Sequence, residues 1–288
     1  MTATRRGLRS AAALFAITAP SGAFAAFGYS DPGQFGFQNA ATDIASDIHW
    51  FHNALLLPVI TVISLFVLGL LLYIVVKFND KANPVPSKTT HHTGLEVAWT
   101  IIPVMILVVI AIPSFKLLNK QLIEPKADVT VKITGKQWYW SYEYPKDQAG
   151  GFGFDSLMKA EKDIKPADGD IRLLSVDNEA VVPIGKNVRF EITASDVIHS
   201  FVVQSLGIRM DAVPGRLNST WFKAEREGLY YGQCSKICGK DHAYMPIAVR
   251  VVSAEKYTAW LADAKKKYAA NGGQPLAVAF NEAPAEPR

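Results

Sequence analysis

The chain has 288 residues, of which 49% are hydrophobic and 19% are charged. That charge content lies below the roughly 25% of an average soluble domain, the apolar content excludes a disordered chain, and two cysteines are too few for a disulfide-built scaffold. Residues 124–262 hold 18 basic and 18 acidic side chains, so the net charge of +4 resides elsewhere and no nucleic-acid partner is expected for that part.

Residues 1–25 read as an export signal. Arg5, Arg6 and Arg9 precede a short apolar run, and Ala23-Phe24-Ala25 is a small-x-small cleavage pattern. An exterior segment, 26–50, follows without any Lys or Arg. Residues 54–76 and 97–115 are then free of charge, and a helix needs about 20 apolar residues to cross ~30 Å of hydrocarbon. Two transmembrane helices are expected, over 51–78 and 94–118, surrounded by membrane lipid. Pro58, Pro103 and Pro113 sit near the ends of the runs, where a lost backbone hydrogen bond costs least. The loop 79–93 joins the helices. Lys77, Lys81 and Lys88 around it place it in the cytoplasm, so the N-terminus and the large C-terminal part lie outside. The export signal predicts the same placement independently. A hairpin of two helices encloses no pore and serves as an anchor against other membrane helices. Glu96, at the cytoplasmic start of the second span, is either an interfacial residue or a proton-input point facing a partner subunit.

From about Asp128 the pattern changes to short alternating strands, among them 129–133, 138–144, 171–176, 188–192, 199–204, 229–234 and 247–252. Many short strands punctuated by Gly, Pro and Asn, with no intervening helices, predict a β-sandwich or barrel over 124–262. Residues 146–170 read as a long hairpin insertion. A single helix capped by Ser253 closes the domain, and 263–288 hold its end and an Ala/Pro/Gly-rich tail.

Both cysteines of the chain, and the two histidines of its exterior domain, fall in two places. One is Asp196-Val197-Ile198-His199. The other is Cys234-Ser235-Lys236-Ile237-Cys238-Gly239-Lys240-Asp241-His242-Ala243-Tyr244-Met245. Thiolates, imidazoles and a thioether form a soft donor set that suits copper or zinc, and Met245 favours copper. A mononuclear blue-copper site uses one Cys, so the second Cys points to two bridged copper ions. A Cys234–Cys238 disulfide is the competing reading. The run Gln137-Trp138-Tyr139-Trp140 is either sheet packing or, where an indole lies over the copper, an electron-input point.

The copper loop, Gln137-Trp138-Tyr139-Trp140 and Asp211-Ala212-Val213-Pro214-Gly215-Arg216 together resemble subunit II of cytochrome c oxidase, in an alphaproteobacterial form. The resemblance implies a chain anchored in a bacterial inner membrane by a two-helix hairpin, with an all-β cupredoxin-like sandwich in the periplasm. It further implies a binuclear copper A centre held by His199, Cys234, the backbone carbonyl of Lys236, Cys238, His242 and Met245. Trp138 and Tyr139 would take electrons from cytochrome c. Glu143, Asp177 and Asp196 would dock that basic partner, and Arg216 would approach the haem of subunit I. Glu96 would stand at a proton channel of subunit I, and the chain would assemble with that and other subunits. Electrons would pass to haem, where oxygen is reduced to water with coupled proton translocation. The resemblance departs at Lys236, where the family carries a Glu that helps bind magnesium. A protonated Lys cannot ligate a cation, which puts magnesium binding through this chain in doubt. Lys136, where His is common, is a second departure. The alternative is a non-enzymatic, membrane-anchored copper-binding or copper-delivery protein.

Overall fold

The computed structural model describes residues 27–146 and 151–269, so the expected signal and the tail from 271 lie outside the described residues. The N-terminal residues 27–42 form a strap along the β domain. Tyr231 N donates to Gly28 O at 2.7 Å, and Ala41 N donates to Ser205 O at 2.8 Å. Phe27 packs edge-on against Tyr230, with the Arg226 guanidinium 4.0 Å from its ring centre. The Thr42 hydroxyl donates to Leu206 O at 3.0 Å and accepts from Ala45 N at 3.0 Å. The residue that ends the strap therefore caps the first helix, as threonine does well.

That helix is long. It runs as α1 (Asp43–Trp50), a π-helical segment (Phe51–Leu56) and α2 (Leu57–Lys77), with Pro58 at the junction where the hydrogen-bond register changes. The second span is α3 (Thr93–Leu122), and it continues through Pro103 and Pro113, which lie inside the helix and not near its ends. Both helices start earlier or end later than the charge-free runs, because amphipathic turns extend them into the interface. Their apolar side chains point outward all round, as in a membrane span and unlike the one-sided helix of a soluble domain. α2 and α3 barely touch, and the spans meet chiefly where α1 and the π-helical segment pack on α3. There Lys120 bonds Asp43 at 3.1 Å and Asp47 at 2.5 Å. The sandwich rests on the first turn of α1 at Gly207, whose added Cβ would stand 2.8 Å from Ala45 N.

The C-terminal domain is a sandwich of two five-stranded sheets. The strands are β1 (Val129–Lys136), β2 (Tyr139–Tyr144), β3 (Phe152–Ser156), β4 (Ala180–Pro183), β5 (Asn187–Ala194), β6 (His199–Val203), β7 (Ile208–Ala212), β8 (Asn218–Lys223), β9 (Gly228–Cys234) and β10 (Pro246–Val252). One sheet has the order β3-β2-β1-β5-β8 and the other β4-β10-β9-β6-β7. Pairing is mostly antiparallel, but β1 runs parallel to β5 and β10 parallel to β4. The core is aromatic: Trp140, Tyr142, Tyr144, Phe190, Phe201, Phe222 and Tyr230 are fully buried. α4 (Ala254–Ala269) covers one end, and its first turn is capped by Ser253 Oγ, which accepts from Lys256 N at 3.3 Å.

Two expectations are corrected. Residues 171–176 form turns, not a strand, because Ser175 and the positive φ of Leu173 (67°) fold the segment back on itself. Residues 146–170 are not wholly an insertion. They contain β3, whose Phe152 and Phe154 alternate inward beneath Trp260 and Tyr268 of α4. Its glycines hid that alternation.

Candidate metal centre

β6 starts at His199 and β9 ends at Cys234, and these strands pair Phe201 with Cys234. The pairing brings the loop before β6 and the loop after β9 to the same end of the sandwich. The β9–β10 loop then turns back through a short helix at His242–Tyr244, so that Met245 drops into the core.

Sulfur and nitrogen donors from the two loops converge. Cys234 Sγ lies 4.0 Å from His199 Nδ1, 4.0 Å from Cys238 Sγ and 3.3 Å from the Lys236 carbonyl. Cys238 Sγ lies 3.4 Å from His242 Nδ1 and 3.5 Å from Met245 Sδ. Both thiols are free. A sulfur separation of 4.0 Å is about twice a disulfide bond, and it fits two bonds of about 2.3 Å to a shared ion. His199, Cys234 and Cys238 are buried together as a potential metal cluster.

The two thiols sit in different surroundings. Burial raises the Cys234 thiol, but hydrogen bonds with His199 and the neighbouring backbone outweigh this and hold it below its usual range. Burial and then the charge of Cys234 push Cys238 up to about 12. Two thiolates side by side would need positive charge between them. Soft donors and unbonded sulfurs fit copper.

The aromatic run divides. Trp140 turns into the core, edge-on to His199 at 5.9 Å, and its Nε1 donates to Met245 O at 3.2 Å. Trp138 precedes β2 and lies half-buried on the copper loop, its Nε1 donating to Cys238 O at 3.2 Å. Gln137 Nε2 donates to the same carbonyl at 2.9 Å. The two indoles therefore do not share a face as strand alternation predicts, because β2 begins only at Tyr139. Tyr139 is half-buried beneath Lys136, whose Nζ is 5.1 Å from the ring centre.

Two glycines make this packing possible, and neither is among the expected site residues. A Cβ on Gly135 would stand 3.0 Å from His199 Cδ2 and 3.1 Å from Trp140 Cζ3. A Cβ on Gly239 would stand 2.9 Å from Trp138 Cζ2. The sequence signal for the first was a glycine inside a strand pattern, which marks close approach.

The other expected residues are dispersed. Glu143 lies on β2 beside Lys132, at 3.7 Å. Asp177 is exposed, and its Oδ1 accepts from Leu157 N at 2.8 Å. Asp196 stands at the rim of the metal site with its carboxylate engaged: Oδ1 accepts from His199 Nε2 at 2.8 Å and Val197 N at 2.6 Å, and Oδ2 from Gln137 N at 2.7 Å. Arg216 is exposed on the β7–β8 turn, and the Lys236 side chain is exposed. Glu96 is far from all of these. Its Oε1 accepts from His92 N at 3.3 Å, and the His92 ring accepts from Leu95 N, so the pair caps α3 reciprocally.

Residues 30–117 match the family described as cytochrome c oxidase subunit II, transmembrane domain, and residues 129–252 match cytochrome c oxidase subunit II, periplasmic domain. The chain is 51% identical over 241 residues to a probable cytochrome c oxidase subunit 2 of Rickettsia bellii, covering 84% of this chain and 87% of that one. It is 45% identical over 271 residues to cytochrome c oxidase subunit 2 of Cereibacter sphaeroides, covering 88% and 89%. Among solved structures, the periplasmic domain of cytochrome oxidase subunit II of Bradyrhizobium japonicum shares 55% identity, covering 51% of this chain and 99% of that one, with a TM-score of 0.46.

Proposed function

The chain belongs to the cytochrome c oxidase subunit II family, and on that premise we propose that it accepts electrons from cytochrome c at a binuclear copper centre and passes them to haem in subunit I, where oxygen is reduced to water with coupled proton translocation. As a family member it is a two-span, copper-binding subunit of a terminal oxidase in aerobic electron transport. The observation that carries the finer reading is the convergence of five soft side chains and one carbonyl, with unbonded sulfurs at its centre.

His199, Cys234, the Lys236 carbonyl, Cys238, His242 and Met245 would hold two copper ions. Bound there, the pair supplies one-electron chemistry with a charge change spread over both metals. The protein's own residues do the rest. Burial of His199, Cys234, Cys238 and Met245 keeps water from the sulfurs. Trp140 fixes the Met245 backbone, and the Trp138 indole reaches from the half-exposed rim to the backbone of a ligand, Cys238. That contact supports Trp138, with Tyr139 beside it, as the electron-input pair. Glu143, Asp177 and Asp196 supply negative charge for a basic cytochrome c, whose association would weaken with salt. Arg216 and Glu96 serve the subunit I side, the first toward haem and the second at the proton input. Lys236 leaves magnesium binding through this chain unsupported, since its ammonium only donates.

The Lys-bearing loop 79–93 lies in the cytoplasm on this reading, with the sandwich in the periplasm after removal of residues 1–25.

Metal analysis and electron-spin resonance of the assembled oxidase test the proposal. Two coppers for each copy of this chain, with one unpaired electron shared between two copper nuclei, are expected. One copper, a single-nucleus pattern, or a Cys234–Cys238 disulfide in the active complex would overturn it.

A further inference from the structure

We propose that Asp196, besides the negative charge it offers a docking partner, is a positioning residue that yokes the electron-input turn to the copper ligand His199. The inference rests on the copper reading above. It starts from the three hydrogen bonds that one carboxylate accepts, from His199 Nε2, Val197 N and Gln137 N.

The first bond sets the imidazole. His199 is fully buried, and its Nε2 faces Asp196 while its Nδ1 faces Cys234 Sγ. A carboxylate accepts only, so the Nε2 proton is held there and Nδ1 is the ring nitrogen left to face the sulfurs. A hydrogen-bonded carboxylate also makes the far nitrogen a better donor to a metal. The bond from Gln137 N reaches a different structural unit, the turn that carries Trp138. The same turn is fixed a second time by Gln137 Nε2 and Trp138 Nε1, both on the Cys238 carbonyl. The result is a closed ring of contacts. It runs from His199 through Asp196 and Gln137 to Cys238, across to Cys234, and back to His199. The input indole and the copper ligands therefore share one frame, and Asp196 is where the two halves of the frame join. Glu143 differs. It has one lysine partner at 3.7 Å and no bond to the metal loops, which suits a charge meant for a partner protein.

The test compares Asp196→Asn with Glu143→Gln in the assembled oxidase. Asparagine keeps the shape and one acceptor, but removes the charge and presents N–H toward Gln137 N. Losing an outer-shell carboxylate typically costs about tenfold in metal affinity, and that loss is expected for Asp196→Asn alone. Removing negative charge beside the centre also favours its reduced form. The electron equilibrium with cytochrome c should shift about tenfold toward reduced copper, equivalent to ~59 mV for one electron. Glu143→Gln should flatten the ionic-strength dependence of the reaction with cytochrome c while leaving metal affinity and potential at their wild-type values, so only Asp196→Asn should move those two.

A copper-free readout separates this proposal from the copper reading. Nitrogen NMR of the unloaded chain should find a hydrogen-bonded proton on His199 Nε2, and Asp196→Ala should abolish that bond. A His199 Nε2 proton indifferent to Asp196→Ala, or a potential and copper affinity unchanged in Asp196→Asn, would leave Asp196 with docking alone. A hydrogen-bonded Nε2 proton with one copper bound would leave this inference standing and overturn only the binuclear reading.

Discussion

Gly135→Ala adds one methyl group at the tightest point behind the metal centre. Gly135 lies on β1, paired with Trp140 on one side and Ala194 on the other. The new Cβ would meet His199 Cδ2 at 3.0 Å, His199 Cγ at 3.1 Å and Trp140 Cζ3 at 3.1 Å. Carbon atoms are comfortable at 3.5–4.0 Å, so the rings must retreat by about 0.5 Å. Both rings are fully buried, which leaves no flexible end to absorb the shift. Overpacking of this kind costs about 1–3 kcal/mol, or roughly 3–10 °C in Tm for a domain of this size. The His199–Asp196 bond of 2.8 Å would stretch toward about 3.3 Å, past the usual range. Thermal unfolding of copper-free and copper-loaded protein, with the absorption spectrum of the loaded form, measures both effects. The expected result is a lower Tm in each form and an altered copper spectrum. An unchanged Tm and an unchanged spectrum would refute the reasoning that Gly135 is the seat of the imidazole.

Gly239→Ala should lift the Trp138 indole from the copper loop and slow electron input from cytochrome c severalfold, because the added Cβ meets Trp138 Cζ2 at 2.9 Å. Its copper content should stay at the wild-type value, and stopped-flow reduction compared with metal analysis checks the split. Alkaline unfolding carries a tyrosine signature. Burial pushes the phenols of Tyr230 and Tyr257 up to about 12. Their neutral forms are held equally below pH 10. Above it the unfolded phenol ionises first, so stability falls by about 1.4 kcal/mol per pH unit for each tyrosine until its folded value is passed. Tyr257→Phe should lessen this slope by one proton. At neutral pH it should unfold no earlier than wild type, since the Tyr257 hydroxyl is buried without a hydrogen-bond partner. Denaturant titrations across pH 7–12 measure both.

The hairpin and most strands were legible because their signals are local. A charge-free run or an alternation such as Val129, Val131 and Ile133 needs no knowledge of distant chain. The soft donor set was legible as chemistry, from residue types at short spacing. What the sequence hid depends on contacts across it. β3 escaped notice because its alternation rests on Phe152 and Phe154 alone, set among glycines and covered by α4 from the far end of the chain. Trp138 and Trp140 separated because the strand starts one residue later than the aromatic run. The commitment of Asp196 to Gln137 joins positions 59 residues apart. Gly135 and Gly239 have no chemistry of their own, and only the rings beside them reveal why a side chain is missing.

The strap has a mechanical consequence. The β domain is hitched to the membrane pair twice, through Thr42 into α1 and from α3 into β1, and Lys120 bolts the two hitches to each other with Asp43 and Asp47. A load hung from one rope can swivel, whereas a load hung from two cannot. The donor loops are thereby held at one height and one bearing above the bilayer before any partner arrives. Damage at Thr42 or Gly207, far from every sulfur, would loosen that bearing and be felt as misaligned electron delivery.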